Sequence, residues 1–572
     1  MTSEKFKKWN IILGWITFVI ALITYSLTIE PTVSAWDVGE YIATSVKLEV
    51  GHPPGAPLFQ MLGAFFAMFT SDVSEIAKMV NFMSALASAF TILFMFWTIS
   101  NLAEKLAAKN GNISKGKRIA ILGSSLVGAL TYTFSDSFWF SAVEGEVYAM
   151  SSFLMALLFW LGLKWESEIN TARGNKWLVL ISFVVGLSFG VHILSLLVIP
   201  AIVMLYFFKT YKTINIKTTT IATIVSVFVL ILVFKFIFPF TLKFFSASEL
   251  FFINSVGLPY NSGSIIAAII LVALFIFGLS YTRKKKKLTA NTLILSLLFI
   301  MIGFSSWIML PIRANANTTI NENNPSSARE LLAYYEREQY GDANVFYDTY
   351  YTNDRTQDAN KPYRDDKPKY EKRNGKYEIV NNYKNVIPNY SDKHKGFIPR
   401  MVDPSKEEMY KAIAGIPANS KRRPTFGENI RFMMSFQFGY MYVRYFMLLF
   451  FMAAVLMPHS FHMIFTERPN QTSFNAAAWG FPLYLLLLSI PVILILWGAQ
   501  NLGIGVPLQY ATVGIGVSLQ SPQLEMLAYI GGLSAASSTI IVATLALASM
   551  CLNHLVLATY QPDTKDIYRW IL

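Results

Sequence analysis

The chain has 572 residues, of which 54% are hydrophobic and 15% are charged, and its mean hydropathy is +0.42. This composition is typical of a polytopic membrane protein and excludes an ordinary soluble globular fold. The net charge of +13 comes mostly from Lys and Arg clusters that flank apolar runs. It therefore indicates membrane topology, and we expect no nucleic-acid partner.

Apolar runs of membrane-spanning length recur along the chain. A bilayer core needs about 20 apolar residues per helix, and we count about a dozen such runs. The first, at 11–29, is expected to be a retained helix rather than a signal peptide, and a short interfacial run follows at 56–70. Later runs are predicted at 81–101, 119–133, 147–163, 177–191, 194–208, 219–239, 265–281 and 293–311. The pattern predicts an all-α polytopic bundle.

Basic loops assign a side of the membrane to each segment. Lys and Arg concentrate on the cytoplasmic side, and here they cluster at 105–118, 164–176, 209–217 and 283–287. With these loops inside, the intervening loops that carry ionisable residues fall on the outer face. Ionisable groups near a membrane are candidates for function. Those predicted to share the outer face are Asp37, Glu40, His52, Glu144, Glu146 and His192.

The first outer loop, WDVGEYIATSVKLEVGHPPG, is the strongest candidate for chemistry. Asp37 and Glu40 are three positions apart and would share one helix face with Tyr41. Two carboxylates that converge at a membrane surface can transfer a proton or hold a cation. A rigid turn follows at His52, because each proline fixes φ and lacks an N–H group. The alternative is an ordinary solvated loop whose prolines only end a helix.

His52 is predicted to bind substrate by orienting a phosphate or one of the neighbouring acids. Four further residues are predicted to bind substrate, and each has a structural alternative. Glu144 and Glu146 suggest a second acidic wall, although the macrodipole also favours acids at a helix N-terminus. His192 is predicted at the apex of a helical hairpin, where it can equally be a hydrogen-bonded structural residue. Arg313 follows a membrane exit and suits bidentate phosphate binding, but arginine is also a routine interface anchor.

Residues 314–430 form a polar insertion rich in Asn, Tyr, Asp and Lys, which we place outside the membrane. Its tyrosines can stack on a sugar or a peptide, or can be ordinary surface aromatics. The chain contains no P-loop, no G-x-S-x-G, no H-E-x-x-H and no Cys/His metal pattern. We therefore predict no cofactor and no metal ligand set, while a divalent cation on the carboxylates remains open.

One bacterial membrane family resembles this chain in several stretches, among them WDVGEYIATSVKLEVGHPPGAP, FSDSFWFSAVEGEVYAMSS, GLSFGVHILSLLVIPAIV, NENNPSSARELLAYYEREQYGD and PTFGENIRFMMSFQFGYMYVRYFM. It is the domain-of-unknown-function 2723 family, which is related to eukaryotic protein O-mannosyltransferases. The resemblance runs nearly continuously over residues 1–446. The family's first loop reads WDCGEF, whereas this chain has Val38 at the Cys position, which suggests that the Cys is not needed for chemistry.

The resemblance implies a GT-C fold, with a transmembrane domain at 1–313 whose first outer loop is catalytic. It implies a multi-pass glycosyltransferase of the bacterial inner membrane that acts on the periplasmic face. The expected donor is a polyprenyl-phosphate sugar, with mannose as the sugar, and the expected acceptor is a Ser or Thr hydroxyl of an exported protein. By the same analogy Asp37 is the general base, Glu40 orients it or binds substrate, and Arg313 or His192 meets the departing phosphate.

The resemblance ends near residue 446. A return helix is expected to begin at 431–446, and residues 447–572 resemble part of the sodium/solute symporter-like membrane domain found in some bacterial sensor kinases. The chain is thus expected to join two unrelated families. Two alternatives to the enzyme follow, namely a symporter-like transporter or sensor module, and an inactive chimera.

Overall fold

The computed structural model describes residues 2–108, 113–171, 174–340, 346–352 and 357–443, together with the single residues 518, 519, 521, 523 and 526. Its α-helices are α1 (Ser3–Leu27), α2 (Val38–Val46), α3 (Pro57–Ala67), α4 (Ile76–Ala108), α5 (Lys115–Thr133), α6 (Asp136–Ala142), α7 (Val147–Glu168), α8 (Gly174–Ser188), α9 (Ile199–Thr210), α10 (Ile216–Ile231), α11 (Phe238–Leu250), α12 (Ser262–Lys284), α13 (Leu288–Phe304), α14 (Met309–Asn315), α15 (Ala328–Tyr335), α16 (Glu407–Ala414) and α17 (Phe426–Phe432).

Short strands accompany the helices in the insertion. They are β1 (Tyr347–Thr349), β2 (Tyr363–Arg364), β3 (Lys369–Arg373), β4 (Lys376–Asn381), β5 (Ile387–Pro388) and β6 (Lys395–Phe397). The strands β3 and β4 form an antiparallel hairpin around the Asn374–Gly375 turn, in which both residues have positive φ, as a tight two-residue hairpin requires. The all-α expectation therefore holds for the membrane part, and the insertion departs from it.

Seven helical spans within the described residues are long and apolar enough to cross a membrane, or eight if α5 and α6, bent by 67°, form one span. They lie at 3–27, 73–108, 147–168, 193–210, 216–255, 262–284 and 288–315, where the apolar runs predict them. The chain is thus a multi-pass helical membrane protein, but the expected dozen spans are not confirmed in this part of the chain. The predicted interfacial run corresponds to the short helix α3.

The chain divides into two compact units. One contains residues 1–343 and 364–387, and the other contains 344–363 and 388–572. In the first unit α4 packs against α1, α5 and α7, and α8 packs against α13. Small side chains allow such close approach of apolar helices. At the α8–α13 crossing a Cβ on Gly186 would collide with the carbonyl oxygen of Ile300, so this position needs glycine.

The second unit has its own small aromatic core. Tyr350, Tyr351, Tyr410 and Phe432 are buried there together with Met401. The strands β1 and β6 pair antiparallel beside it. Of the expected return helix at 431–446, residues up to 443 are described, as the end of α17 followed by a π-helical stretch at Met433–Val443. The predicted symporter-like fragment at 447–572 lies outside the described residues, apart from five single positions.

Candidate active site

Helix α2 presents Asp37 at the start of the first outer loop. Asp37 occupies the N-cap position, yet its side chain forms no capping hydrogen bond and is 58% exposed. The preceding Trp36 has φ of +64° and is 93% exposed. A bulky residue in the left-handed region is uncommon and is often found where function holds the backbone in place. The Asp37 carboxylate thus remains accessible to an external group.

Glu40 lies one helical turn after Asp37 and contacts His52 through both the backbone and the side chain. The N–H group of His52 donates to Glu40 Oε1 at 2.5 Å, and Nδ1 lies 3.1 Å from Oε1 and 3.0 Å from Oε2. Because a carboxylate only accepts, Nδ1 carries the proton of this hydrogen bond. The other ring nitrogen, Nε2, lies 3.9 Å from Asp37 Oδ2. The structure therefore brings Asp37, His52 and Glu40 together.

Glu40 and His52 each shift the pKa of the other. Burial raises the pKa of Glu40, but hydrogen bonds from the side chain and backbone of His52 outweigh it and bring the pKa below its usual value. The hydrogen bond to Glu40 raises the pKa of His52, against an opposing effect of burial. A protonated imidazole next to an ionised carboxylate is therefore favoured.

The turn after His52 is fixed by a residue that sequence reasoning missed. Tyr334, at the end of α15, donates its hydroxyl to the carbonyl oxygen of Gly51 at 2.6 Å and approaches that of His52 at 3.2 Å. Gly55 has φ of +76°, and a Cβ on it would lie 2.7 Å from the Tyr334 hydroxyl. No signal in the sequence links these segments, because Gly51 and Tyr334 are 283 positions apart.

The second outer loop contributes the carboxyl groups of Glu144 and Glu146, which differ in their hydrogen bonding. Glu144 accepts a hydrogen bond of 2.6 Å from the Ser34 hydroxyl, and burial raises its pKa. Glu146 is the N-cap residue of α7 and is only 7% exposed, and its Oε2 has no hydrogen-bond partner among the described residues. Burial raises the pKa of Glu146 to about 7, with further contributions from the charges of Asp37 and Glu144. Glu146 therefore belongs to the same electrostatic cluster as Asp37.

His192 lies between α8 and α9, as the hairpin predicts. Its Nδ1 accepts a hydrogen bond from the N–H group of Leu194 at 3.2 Å, and its ring packs edge-on against Tyr148 at 5.3 Å. Burial lowers the pKa of His192, so a neutral imidazole with a proton on Nε2 is favoured. It can donate a hydrogen bond to a phosphate oxygen, but it supplies little positive charge at neutral pH.

Arg313 holds the end of helix α2. Its Nε donates to the carbonyl oxygen of Leu48 at 2.6 Å, and Nη2 donates to that of Lys47 at 3.0 Å. Carbonyl groups at a helix C-terminus lack partners within the helix, and cationic side chains often satisfy them. In the structure Arg313 therefore caps a helix end. Neither the predicted phosphate contact nor the alternative of an interface anchor included this role.

Glu322 is another neighbour that sequence reasoning missed. Burial raises its pKa, as does the negative charge of Glu40, whereas His52 lowers it. The segment that carries it is held by backbone hydrogen bonds of 3.0 Å from Val50 to Ile320 and from Glu322 to Val50. Its sequence, NENNPSS, contributes to the family resemblance, but nothing in the residue types indicates contact with the first loop.

Metal binding receives no geometric support in the described part of the chain. There, no three His, Cys, Asp or Glu side chains are arranged as a group that could hold an ion. The divalent cation on the outer carboxylates remains a prediction.

The site is thus a cluster of carboxylates and an imidazole at one end of a multi-pass helical membrane protein. Residues 37–215 match the family described as the protein O-mannosyl-transferase TMEM260 N-terminal domain, and residues 341–434 match a family of unknown function, DUF8416. The first match includes every predicted site residue except Arg313. These matches do not support the predicted join to a symporter-like fragment.

Two curated relatives are each similar to about a third of this chain. Protein O-mannosyl-transferase tmem260 of Dictyostelium discoideum is 30% identical over 196 residues, which cover 32% of this chain and 22% of the relative. Protein O-mannosyl-transferase TMEM260 of Mus musculus is 25% identical over 171 residues, which cover 30% of this chain and 22% of the relative. The match thus spans about a fifth of the length of these relatives. No solved structure matches the chain.

Proposed function

We propose that this chain is a GT-C-type membrane glycosyltransferase. It transfers a sugar, mannose by analogy, from a polyprenyl-phosphate donor to a Ser or Thr hydroxyl of an exported protein. The reaction takes place on the outer face of the bacterial inner membrane. The observation that carries the proposal is the arrangement of Asp37, His52 and Glu40 within the stretch that is similar to named O-mannosyltransferases.

Asp37 is the general base of the proposed reaction. The acceptor oxygen attacks C1 of the sugar and forms the new C1–O bond, while the bond between C1 and the phosphate oxygen breaks. Asp37 takes the hydroxyl proton, and the lipid phosphate departs with the electron pair of the broken bond. A single displacement inverts the configuration at C1. A positioned base of this kind contributes about 10²–10⁴-fold to the rate.

His52 and Glu40 position the base rather than share its task. The rigid Glu40 contact fixes the imidazole, whose Nε2 edge then faces Asp37 at 3.9 Å. A protonated His52 places a positive charge 3.9 Å from the Asp37 carboxylate and so helps to hold that carboxylate in position. The departing phosphate carries negative charge, so hydrogen-bond donors should meet it. The Nε2–H of His192 is suited to that role, and His52 supplies positive charge nearby.

The test is sugar transfer by the purified chain in detergent. Radiolabelled polyprenyl-phosphate mannose serves as donor and a Ser/Thr-rich peptide as acceptor, with an Ala-substituted peptide as blank. Asp37→Asn is compared with Asp136→Asn, which changes an exposed acid at the start of α6. We expect transfer by the wild type and by Asp136→Asn, and a loss of about 10²-fold or more in Asp37→Asn.

Two results would contradict the proposal at different points. Transfer at the wild-type rate by Asp37→Asn would remove the base assignment but leave the enzyme class. Absence of transfer by the wild-type chain, with a related enzyme active under the same conditions, would remove the enzyme class itself.

A further inference from the structure

Tyr41 lies on α2 one helical turn after the proposed base, and the proposed reaction gives it no role. Its N–H group donates to the carbonyl oxygen of Asp37 at 2.9 Å, and the two side chains share one face of the helix. The half-buried ring packs against Phe59 of α3 and against His52, with centroid distances of 5.4 and 5.8 Å. These contacts fix the direction in which the phenol hydroxyl points.

The hydroxyl of Tyr41 has unused hydrogen-bonding capacity. It forms no hydrogen bond with any residue that the structure describes, and its oxygen is not fully buried. The buried hydroxyls of Tyr25 and Tyr334, by contrast, each donate to a carbonyl oxygen. Burial and the negative charges of Glu146 and Asp37 raise the pKa of Tyr41. The hydroxyl therefore keeps its proton at neutral pH and is available as a donor.

Glu146 is a second group with unused capacity in the same place. It is only 7% exposed, and its Oε2 lacks a hydrogen-bond partner within the described part of the chain. Of the charges that act on Tyr41, that of Glu146 has the largest effect. Buried polar groups are nearly always hydrogen-bonded, so this oxygen calls for a partner. A ligand between the two outer loops can satisfy both Tyr41 and Glu146.

The charges around Tyr41 favour a neutral ligand over an anionic one. Asp37, Glu40 and Glu146 each raise the pKa of its hydroxyl, which means that they create a negative potential at that oxygen. A phosphate placed there would be repelled. A sugar hydroxyl carries no charge, can accept a hydrogen bond from Tyr41, and can exchange one with Glu146.

We infer that Tyr41 binds the sugar of the lipid-linked donor: its hydroxyl donates to one sugar hydroxyl, and Glu146 pairs with an adjacent one. The inference rests on the proposed function, because it takes the sugar to lie beside Asp37 during transfer. The first loop of the resembling family, WDCGEF, has Phe where this chain has Tyr41, so the resemblance itself does not imply this contact. The alternative is a packing residue whose hydroxyl meets only water.

The test removes the hydroxyl and keeps the ring. Tyr41→Phe retains the aromatic contacts with His52 and Phe59. The matched control is Tyr206→Phe on α9, because the ring of Tyr206 also stacks on a neighbour, Trp165, at 5.6 Å, and its hydroxyl also lacks a partner among the described residues. Both variants and the wild type are assayed with polyprenyl-phosphate mannose and with a series of deoxy donors that each lack one sugar hydroxyl.

We expect Tyr41→Phe to lower kcat/KM for the mannose donor by about 3- to 10-fold, the usual effect of one hydrogen bond between neutral groups. The same loss should appear with every deoxy donor except one. That donor lacks the hydroxyl that Tyr41 contacts, so Tyr41→Phe and the wild type should use it equally well. Tyr206→Phe should match the wild type with every donor.

An unchanged kcat/KM in Tyr41→Phe would overturn the inference, and so would a loss of equal size with every deoxy donor. A packing role is measured separately with Tyr41→Leu, which removes the ring as well. We expect the NMR titration of His52 to shift in Tyr41→Leu and to stay unchanged in Tyr41→Phe. A shift in Tyr41→Phe would make Tyr41 a positioning residue for His52 and would overturn the direct contact with the sugar.

A binding experiment separates failure of this contact from failure of the enzyme. The affinities of the wild type and Tyr41→Phe for polyprenyl-phosphate mannose and for polyprenyl phosphate are measured by calorimetry in detergent, without acceptor. A loss of about 3- to 10-fold for the mannose lipid alone supports the contact, even if no sugar is transferred. An equal loss for both lipids, no loss for either, or a wild type that does not bind the mannose lipid more tightly than polyprenyl phosphate overturns it.

Discussion

The Nδ1 atom of His52 lies 3.0 Å from Glu40 Oε2, and the backbone N–H of the same His52 donates to Glu40 Oε1 at 2.5 Å. One carboxylate thus fixes both the backbone and the ring of the histidine. The opposite edge of that ring faces Asp37, so the orientation of His52 relative to the proposed base depends on Glu40.

We expect Glu40→Gln to reduce transfer by about 10- to 100-fold, because a hydrogen bond to a charged group contributes about 1.5–3 kcal/mol. The pKa of His52 should fall toward its ordinary value when the negative charge is removed. Titration of the His52 ring by NMR, in the variant and the wild type, measures that shift. Glu75→Gln, which removes an exposed ion pair with Lys78, is the control, and an unshifted His52 would refute the coupling.

The same pair predicts a pH dependence of stability. Glu40 has a lowered pKa, so its contribution is present above its unfolded value of 4.5 and is lost as the pH falls through the folded value. His52 has a raised pKa, so its contribution is present below 6.5 and is lost as the pH rises through the folded value. The stability difference between wild type and Glu40→Gln should therefore be greatest between pH 4.5 and 6.5. A difference that keeps growing up to pH 9 would contradict this.

Ionisation of Glu146 should destabilise the folded protein, whereas ionisation of Glu40 should stabilise it. Its pKa is raised from 4.5 to about 7, so ionisation is disfavoured in the folded state and stability declines as the pH rises from 4.5 through 7. Glu146→Gln cannot ionise and should be more stable than the wild type at pH 8, by up to about 3 kcal/mol. Thermal unfolding at pH 5 and pH 8 tests this, and equal differences at both values would refute a buried acid.

The rate of sugar transfer should also depend on the protonation of Glu146. A protonated Glu146 can donate a hydrogen bond to a sugar hydroxyl, and its ionised form adds negative charge near Asp37. We therefore expect wild-type transfer to fall as the pH rises through about 7, and this decline to be weaker in Glu146→Gln. Glu144→Gln is the comparison, since Glu144 already accepts from Ser34. An identical decline in all three proteins would remove Glu146 from the site.

Much of the membrane part could be predicted because hydropathy and charge act locally along the chain. The apolar runs mark the helices. The basic loops predict that Asp37 and Glu146 share one face of the membrane, and in the structure the charge of Asp37 acts on Glu146. The contacts of Tyr334 and Arg313 could not be predicted, because each joins segments more than 260 positions apart. The β3–β4 hairpin was missed for a different reason. The Asn374–Gly375 pair is a hairpin signal, but the short strands beside it are mostly polar, so they do not stand out from a loop.

Arg313 is expected to act through helix α2 rather than on the donor. Arg313→Ala removes two hydrogen bonds to the carbonyl oxygens of Lys47 and Leu48, and we expect it to lower the free energy of unfolding by about 1–3 kcal/mol. Arg313→Lys should retain part of this stability, because one ammonium group can still reach one carbonyl. KM for the donor should change less than stability. A large rise in KM with unchanged unfolding would instead place Arg313 on the phosphate.

The turn between His52 and Gly55 offers a test of how closely Tyr334 must approach it. Gly55 and Gly257 both have positive φ, of +76° and +83°, but a Cβ on Gly55 meets the Tyr334 hydroxyl at 2.7 Å, whereas one on Gly257 meets nothing within 4 Å. Both alanine variants carry the same conformational cost of about 1 kcal/mol. The additional loss in Gly55→Ala therefore measures the steric conflict with Tyr334.

That conflict should disturb catalysis as well as stability, because Tyr334 holds the carbonyl groups of Gly51 and His52. We expect Gly55→Ala to be less stable than Gly257→Ala and to lose transfer activity, while Gly257→Ala keeps it. Tyr334→Phe should be intermediate, since it loses one hydrogen bond of about 1 kcal/mol without a clash. Combining Gly55→Ala with Tyr334→Phe should recover part of the stability, because the hydroxyl that the new Cβ meets is gone. Additive losses in the double variant would show that the turn does not depend on this contact.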